Sequence, residues 1–273
     1  MKKSLPWLLL APAALAVVVI LLLPLAGTVG LTFDGREWYS NYVAFFRSGL
    51  NLSVLYRTLE IALVTTAISI VLGLPTAHVI ARSPKSRRTL LIVCAVFPLL
   101  TSTVVRSFSW IVILGRNGFV NQVLQGIGVI DTPVGLLYTQ TAVIVGLVHL
   151  FTPLMILSLV GVMENIEADV LQAASSLGAS PAATFRQVVL PLAMPGIVVG
   201  SVLVFTGSFT AYTTPQLLGG DRQTVLATFL YQKAMISFDW AMASTIAVLM
   251  VVLTVVVILA MNSLARRLNP VGA

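Results

Sequence analysis

The chain has 273 residues, of which 58% are hydrophobic and only 9% charged, with a formal net charge of +7. A soluble domain carries about a quarter charged residues, and its surface demands more polar side chains than this chain can supply, so a soluble globular fold is excluded. The basic residues form short clusters between apolar runs, with no basic stripe interleaved with aromatics, which excludes nucleic acid as a partner and points to lipid.

The chain opens Met1-Lys2-Lys3, followed by an apolar run from Leu5 to Leu25. That run exceeds the ~7–15 apolar residues of a signal peptide and is read as a retained first transmembrane helix. A helix needs about 20 apolar residues to cross the hydrocarbon core. Stretches near 7–29, 56–81, 89–114, 138–162, 195–216 and 240–263 qualify. None alternates polar and apolar residues as a barrel strand would, and lipid offers unpaired backbone no partner, so all six are expected to be helical. The expectation is an all-α membrane protein of six transmembrane helices, in a single transmembrane domain over residues 1–273.

Orientation is read from Lys and Arg. Lys2 and Lys3, then Arg82, Lys85, Arg87 and Arg88 between spans two and three, then Arg266 and Arg267 all fall on one side if the span number is even. That side is expected to be cytoplasmic, with both termini inside. The opposite connections mix signs, with Asp34, Arg36 and Glu37, then Arg116 and Asp131, then Asp221, Arg222, Lys233 and Asp239. Pro12, Pro24, Pro75 and Pro98 lie inside spans, where neighbouring helices can re-satisfy the backbone. Gly196 and Gly200 open the fifth span and would let another helix approach closely. Cys94 is the one cysteine, so no internal disulfide forms, and it reads as a small buried hydrophobe.

The connection between spans four and five, residues 164–191, differs from the other loops. A first helix over 166–177 fits its alanine and leucine content, with Glu167 and Asp169 in the first turn and Gly178 as its stop. Ser180 and Pro181 supply an N-cap and a first-turn proline for a second short helix, which Pro191 and Pro195 are expected to end. Val170, Leu171, Ala174 and Leu177 share a stripe at three-and-four spacing, so the helix–turn–helix can dock on something apolar. Physical reasoning alone leaves lipid and a protein partner equally open.

Gln172-Ala173-Ala174, three residues, Gly178, nine residues, then Val188-Val189-Leu190-Pro191 resembles the EAA loop of binding-protein-dependent ABC importer permeases. The family pattern has glutamate where Gln172 stands and isoleucine where Val188 stands. The resemblance extends over most of the chain and is closest to the spermidine/putrescine-type permeases. It runs through Thr58-Leu-Glu60-Ile-Ala62, Gly73-Leu-Pro75-Thr-Ala77, Arg106-Ser-Phe-Ser-Trp110, Leu114-Gly-Arg-Asn-Gly118 and Thr214-Pro-Gln-Leu-Leu-Gly-Gly220.

This resemblance implies a permease subunit of the bacterial inner (cytoplasmic) membrane. It further implies a second copy or a homologous permease beside it, two copies of a cytoplasmic ABC ATPase, and an extracytoplasmic solute-binding protein that delivers the ligand. No Gly-x-x-x-x-Gly-Lys-Ser/Thr loop is present, so no enzyme activity or cofactor is expected of this chain, and ATP and magnesium would be used by the ATPase partner. The loop would couple to that ATPase through Glu167, Gln172, Ala173, Ala174, Gly178, Ala179, Ser180, Pro181, Phe185, Arg186, Leu190 and Pro191. A polyamine is the expected solute, and an amino-acid derivative or another small organic solute is the alternative. A channel or secondary transporter would leave the loop without a role, and no metalloenzyme or serine-nucleophile pattern is present.

Polar and aromatic residues of the spans are the candidates for a translocation path. Ser201, Phe205, Ser208 and Tyr212 would share one face of span five. There they either hold an amine cation on aromatic faces or simply pack and hydrogen-bond between helices. Glu60 either meets a cationic solute or pairs with Arg57. Asp239 either contacts substrate or starts the sixth helix. Arg106 is expected to snorkel to the outer interface. His78 and His149 read as packing or hydrogen-bonding residues.

Overall fold

The computed structural model describes residues 5–33 and 39–268; the side chains of residues 5–11, 13, 14, 21 and 264–268 fall outside that description. Lys2, Lys3, Asp34, Arg36 and Glu37 therefore lie outside the described residues, as do the side chains of Arg266 and Arg267. Every regular element among the described residues is helical. In chain order these are α1 (Leu5–Leu31), α2 (Ser40–Arg47), α3 (Gly49–Arg82), α4 (Lys85–Leu100), α5 (Thr103–Leu114), α6 (Phe119–Gly126) and α7 (Gln140–Met163). Then follow α8 (Ala168–Ser176), α9 (Pro181–Leu192), α10 (Met194–Thr210), α11 (Thr213–Leu218), α12 (Leu226–Tyr231) and α13 (Trp240–Leu268).

By length and composition, Gly49–Arg82, Gln140–Met163 and Trp240–Ser263 can each cross a membrane, and two bent pairs bring the number to five among the described residues. The helix over the first expected span is present as α1. Backbone packing divides the chain into two units, residues 1–53 with 229–252, and residues 54–228 with 253–273. In the first unit, Asn41 donates from Nδ2 to the Thr32 carbonyl at 2.7 Å, and Phe45 is fully buried.

In the second unit the axis is the pair α7 and α10. A Cβ on Gly200 would lie 2.5 Å from Met155 Sδ, and one on Gly196 would lie 2.9 Å from the Ser158 carbonyl oxygen. At Gly196 the neighbour is backbone and only glycine fits, while at Gly200 the Met155 Cα would lie 3.3 Å away; both bear out the expected close approach and name α7 as the helix they admit. Ala77, Ile80 and Ala81 of α3 join Met155, Leu159, Val160 and Met163 of α7 and Val204 of α10 in one buried cluster.

The third expected span, 89–114, is not one helix. It breaks at Thr101–Ser102 between α4 and α5, and the segments Lys85–Leu100 and Thr103–Gly126 are bent by 92°. Thr101 is extended, and the last carbonyls of α4 lose their helical donors. Arg106, one turn into α5 and only 7% exposed, supplies them. Its Nη2 donates to the carbonyls of Pro98 and Thr101, the latter at 2.7 Å, and its Nε donates to Thr101 Oγ1 at 3.2 Å. Arg106 therefore does not snorkel to the interface. The broken backbone turns its guanidinium inward, where a planar fork can serve several acceptors at once.

The fifth span also ends early. The expected helix over 195–216 stops at Thr210, Ala211 is extended, and α11 restarts at Thr213. A continuous helix would drive the Pro215 ring into the Ala211 carbonyl, so the chain breaks before it. Arg106→Leu is expected to destabilise the protein by about 2–3 kcal/mol, because it leaves carbonyls at the α4–α5 break unpaired. Arg106→Lys should recover only part of that loss. Thermal unfolding of the detergent-solubilised variants, read against wild type, checks both.

Candidate functional site

The chain between α7 and α10 folds as a hairpin of two short helices. Glu167 sits at the N-cap of α8 with its side chain making no cap bond, so Asp169 is the acidic residue of the first turn. The helix stops at Gly178, whose φ of +80° is a left-handed conformation that L side chains adopt with strain. The Gly178 amide donates to the Ser175 carbonyl at 3.0 Å and the Ala179 amide to the Ala174 carbonyl at 3.1 Å, closing the last carbonyls of α8. Ser180 then caps α9, its Oγ accepting from the Ala183 amide at 3.3 Å, with Pro181 in the first turn. The stop at Gly178 and the cap at Ser180 with Pro181 are as read from the sequence; Glu167, expected in the first turn, instead precedes a helix that begins at Ala168.

The end of α9 differs from expectation. Pro191 does not stop it. The helix widens into a π turn over Phe185–Val189, which shifts the hydrogen-bond register ahead of the proline that cannot donate. It runs on to Leu192 and meets α10 at a bend of 66°, with Pro195 in the first turn of α10.

The hairpin has an inner and an outer face. Leu171 and Phe185 pack against the buried cluster of α3, α7 and α10, in which Val189 and Ala193 are themselves buried. Ala174, Ala179 and Leu190 are half-buried. Gln172, Ala173, Gly178, Ser180, Pro181, Arg186 and Pro191 are exposed, as is Glu167. The expected apolar stripe is thus divided, with Leu171 turned to the protein and Leu177 88% exposed beside Gly178. The base of the hairpin is pinned by Arg88, whose Nη1 lies 3.4 Å from Glu164 Oε1 and whose Nη2 donates to the Ala81 carbonyl at 3.2 Å.

The residues expected to line a path are placed differently from one another. Ser201, Phe205 and Ser208 are buried on α10, and Phe205 stacks on Phe209 at 5.5 Å between ring centroids. That is packing within the protein. Tyr212 lies beyond the end of α10 and is half-buried, so it does not continue their helical face. Glu60 is exposed and makes no ion pair with Arg57, whose Nη1 donates instead to the Thr224 carbonyl at 3.1 Å. Asp239, in the other unit, caps α13 by accepting from the Met242 amide at 3.1 Å, and its second oxygen lies 3.6 Å from Lys233 Nζ.

Sequence reasoning did not find a cavity of about 450 Å³ among α3, α4, α5 and α7, lined by Ile68, Cys94, Pro98, Trp110, His149 and Thr152 among others. Trp110 Nε1 donates to His149 Nδ1 at 3.0 Å, and Thr152 shares a hydrogen bond with Ser69 at 3.1 Å. Cys94 is exposed and not buried as expected. Cys94 and Pro98 share one face of α4, and His149 and Thr152 one face of α7, but nothing local in the sequence shows that these faces and Trp110 of α5 meet.

Comparison with known proteins identifies the architecture. Residues 69–270 match the family described as binding-protein-dependent transport system inner membrane component. The chain belongs to that family. The spermidine/putrescine transport system permease protein PotB of Escherichia coli is 30% identical over 253 residues, covering 90% of this chain and 92% of that protein. The protein of the same name from Haemophilus influenzae is 32% identical, covering 88% of this chain and 85% of its own length. A chain of the bacterial alginate ABC transporter, crystallised with its alginate pentasaccharide-bound periplasmic protein, superposes with a TM-score of 0.82 at 19% identity, over 100% of this chain and 97% of that one. As a member of this family of ABC importer permeases, the chain is a transport component of an inner membrane, and the hairpin is where its fold leaves the expected spans.

No atom lies within 4 Å of a Cβ built on Gly178, so a side chain there meets only backbone strain. Gly178→Val is expected to cost about 1–2 kcal/mol locally, and Gly178→Asn less. Limited proteolysis should cut the valine variant within residues 168–184 faster than wild type, with the asparagine variant between them.

Proposed function

We propose that this permease carries polyamines, putrescine or spermidine, inward across a bacterial inner membrane, with magnesium-dependent hydrolysis of ATP in two separate ATPase subunits as the energy source. The observation that carries the solute assignment is the similarity to the PotB proteins along nine-tenths of the chain. The periplasmic protein bound to the alginate transporter supports delivery of solute by an extracytoplasmic binding protein. A second permease, a copy or a homologue, completes the path between two such subunits.

The hairpin is the coupling element. Its exposed face, from Gln172 and Ala173 through Leu177, Gly178, Ser180 and Pro181 to Arg186, seats on the ATPase. Its inner residues pass the motion into the membrane helices. Six spans with both termini cytoplasmic fit this arrangement, α4–α5 and α9–α10 each counting as one bent span. The joining of Glu164 at the hairpin's base to Arg88 in the basic connection supports placing both on the cytoplasmic side. For the solute, the exposed carboxylate of Glu60 and the phenol ring of Tyr212 are the path residues within reach of a cation, while Phe205, Ser201 and Ser208 shape the helix behind them. An amino-acid derivative remains the alternative solute.

ATP hydrolysis by the purified assembly in nanodiscs, with its binding protein present, tests the reading. Putrescine or spermidine is expected to raise the rate several-fold over basal. Basal hydrolysis that neither compound changes would remove the polyamine assignment, and a chain that retains no ATPase subunit would remove the coupling role of the hairpin.

A further inference from the structure

The hairpin touches α3 at one place and stands away from it at another. The imidazole of His78, one turn before the end of α3, meets the ring of Phe185 edge-on, with centroids 5.2 Å apart and planes at 83°. Phe185 opens the π turn of α9, and four residues later Val189 is buried in the cluster that holds Ala77, Ile80 and Ala81 of the same helix. Beside this contact lies a cavity of about 350 Å³, lined by His78, Arg82, Leu171, Ser175, Thr184 and Phe185. The first helix of the hairpin therefore has room to move relative to α3, while the second is held against it. The His78 Nδ1 atom is buried with no hydrogen-bond partner, so the ring is positioned there by packing.

We propose that His78 is a positioning residue for transport, the tooth through which movement of the hairpin is delivered to the second span as well as to the fifth. Motion applied to α8 closes or opens the cavity. Phe185 carries it to His78, and α3 tilts with the hairpin because the aromatic edge contact and the buried Val189 join α9 to α3. Without the ring at position 78, the hairpin would still move and the fifth span would still respond, but α3 would lag. This rests on the hairpin being the ATPase-coupling element.

The test compares wild type with His78→Ala, His78→Gln and His78→Phe, each in complex with the ATPase subunits. Hydrogen–deuterium exchange is followed for residues 70–82 and for the hairpin, at rest and after trapping with ATP and vanadate. In wild type both segments should change on trapping. In the alanine and glutamine variants the hairpin should still change, while the response of residues 70–82 falls at least five-fold. The phenylalanine variant, which restores an aromatic edge, should recover it. Glutamine keeps the volume, so it separates lost contact from a lost fold. Equal responses of residues 70–82 in wild type and the glutamine variant would overturn the proposal while leaving the coupling role intact. A wild-type chain that holds no ATPase would overturn both.

Discussion

The close approach of α7 and α10 is the constraint on which the rest of the second unit depends. Gly196 and Gly200 let the two backbones meet at Ser158 and Met155, so the helices that flank the hairpin are fixed against each other before the hairpin is considered. The chain between them then has to leave one helix, turn and enter the other within about thirty residues. It does so with two short helices, a left-handed glycine and a π turn. The inner side of that hairpin closes one end of the buried cluster with Val189, Ala193 and Phe185. What remains outside is a small surface centred on Leu177 and Gly178.

A second constraint comes from the hydrocarbon, which offers no partner to a freed amide or carbonyl. Both bent pairs satisfy the backbone groups at their breaks, by different means. At Thr101–Ser102 the answer is electrostatic, since Arg106 reaches back to two carbonyls and a hydroxyl. At Ala193 it is geometric, since the wider turn at Phe185–Val189 absorbs Pro191 and the Ala193 amide still finds the Val189 carbonyl at 2.8 Å. A charge in the first case costs desolvation that its hydrogen bonds offset. The second case costs only a less regular helix.

The legibility of the sequence followed the range of the interactions. Local chemistry was readable: Gly178 as the left-handed stop, Ser180 and Pro181 as cap and first turn, and the glycine pair as a site of helix contact. The composition established a helical membrane protein. What could not be read depended on contacts between distant segments. Nothing local to Arg106 shows that the helix before it will break and turn its guanidinium inward. The apolar stripe of α8 does not show which of its residues face the protein, and Leu171 and Leu177 went opposite ways. The helical face proposed for span five lost Tyr212 because Pro215, three residues on, ends the helix first. His149 was expected to pack or hydrogen-bond, but its partner Trp110 is supplied by another helix.

The central claim is that the exposed turn of the hairpin is the surface that seats on the ATPase. Maleimide labelling at Leu177→Cys, in a Cys94→Ser background, measures it directly. With Leu177 88% exposed, the free permease should label rapidly, and the ATPase subunits should slow labelling at least ten-fold. A labelling rate unchanged by a demonstrably bound ATPase would contradict the account.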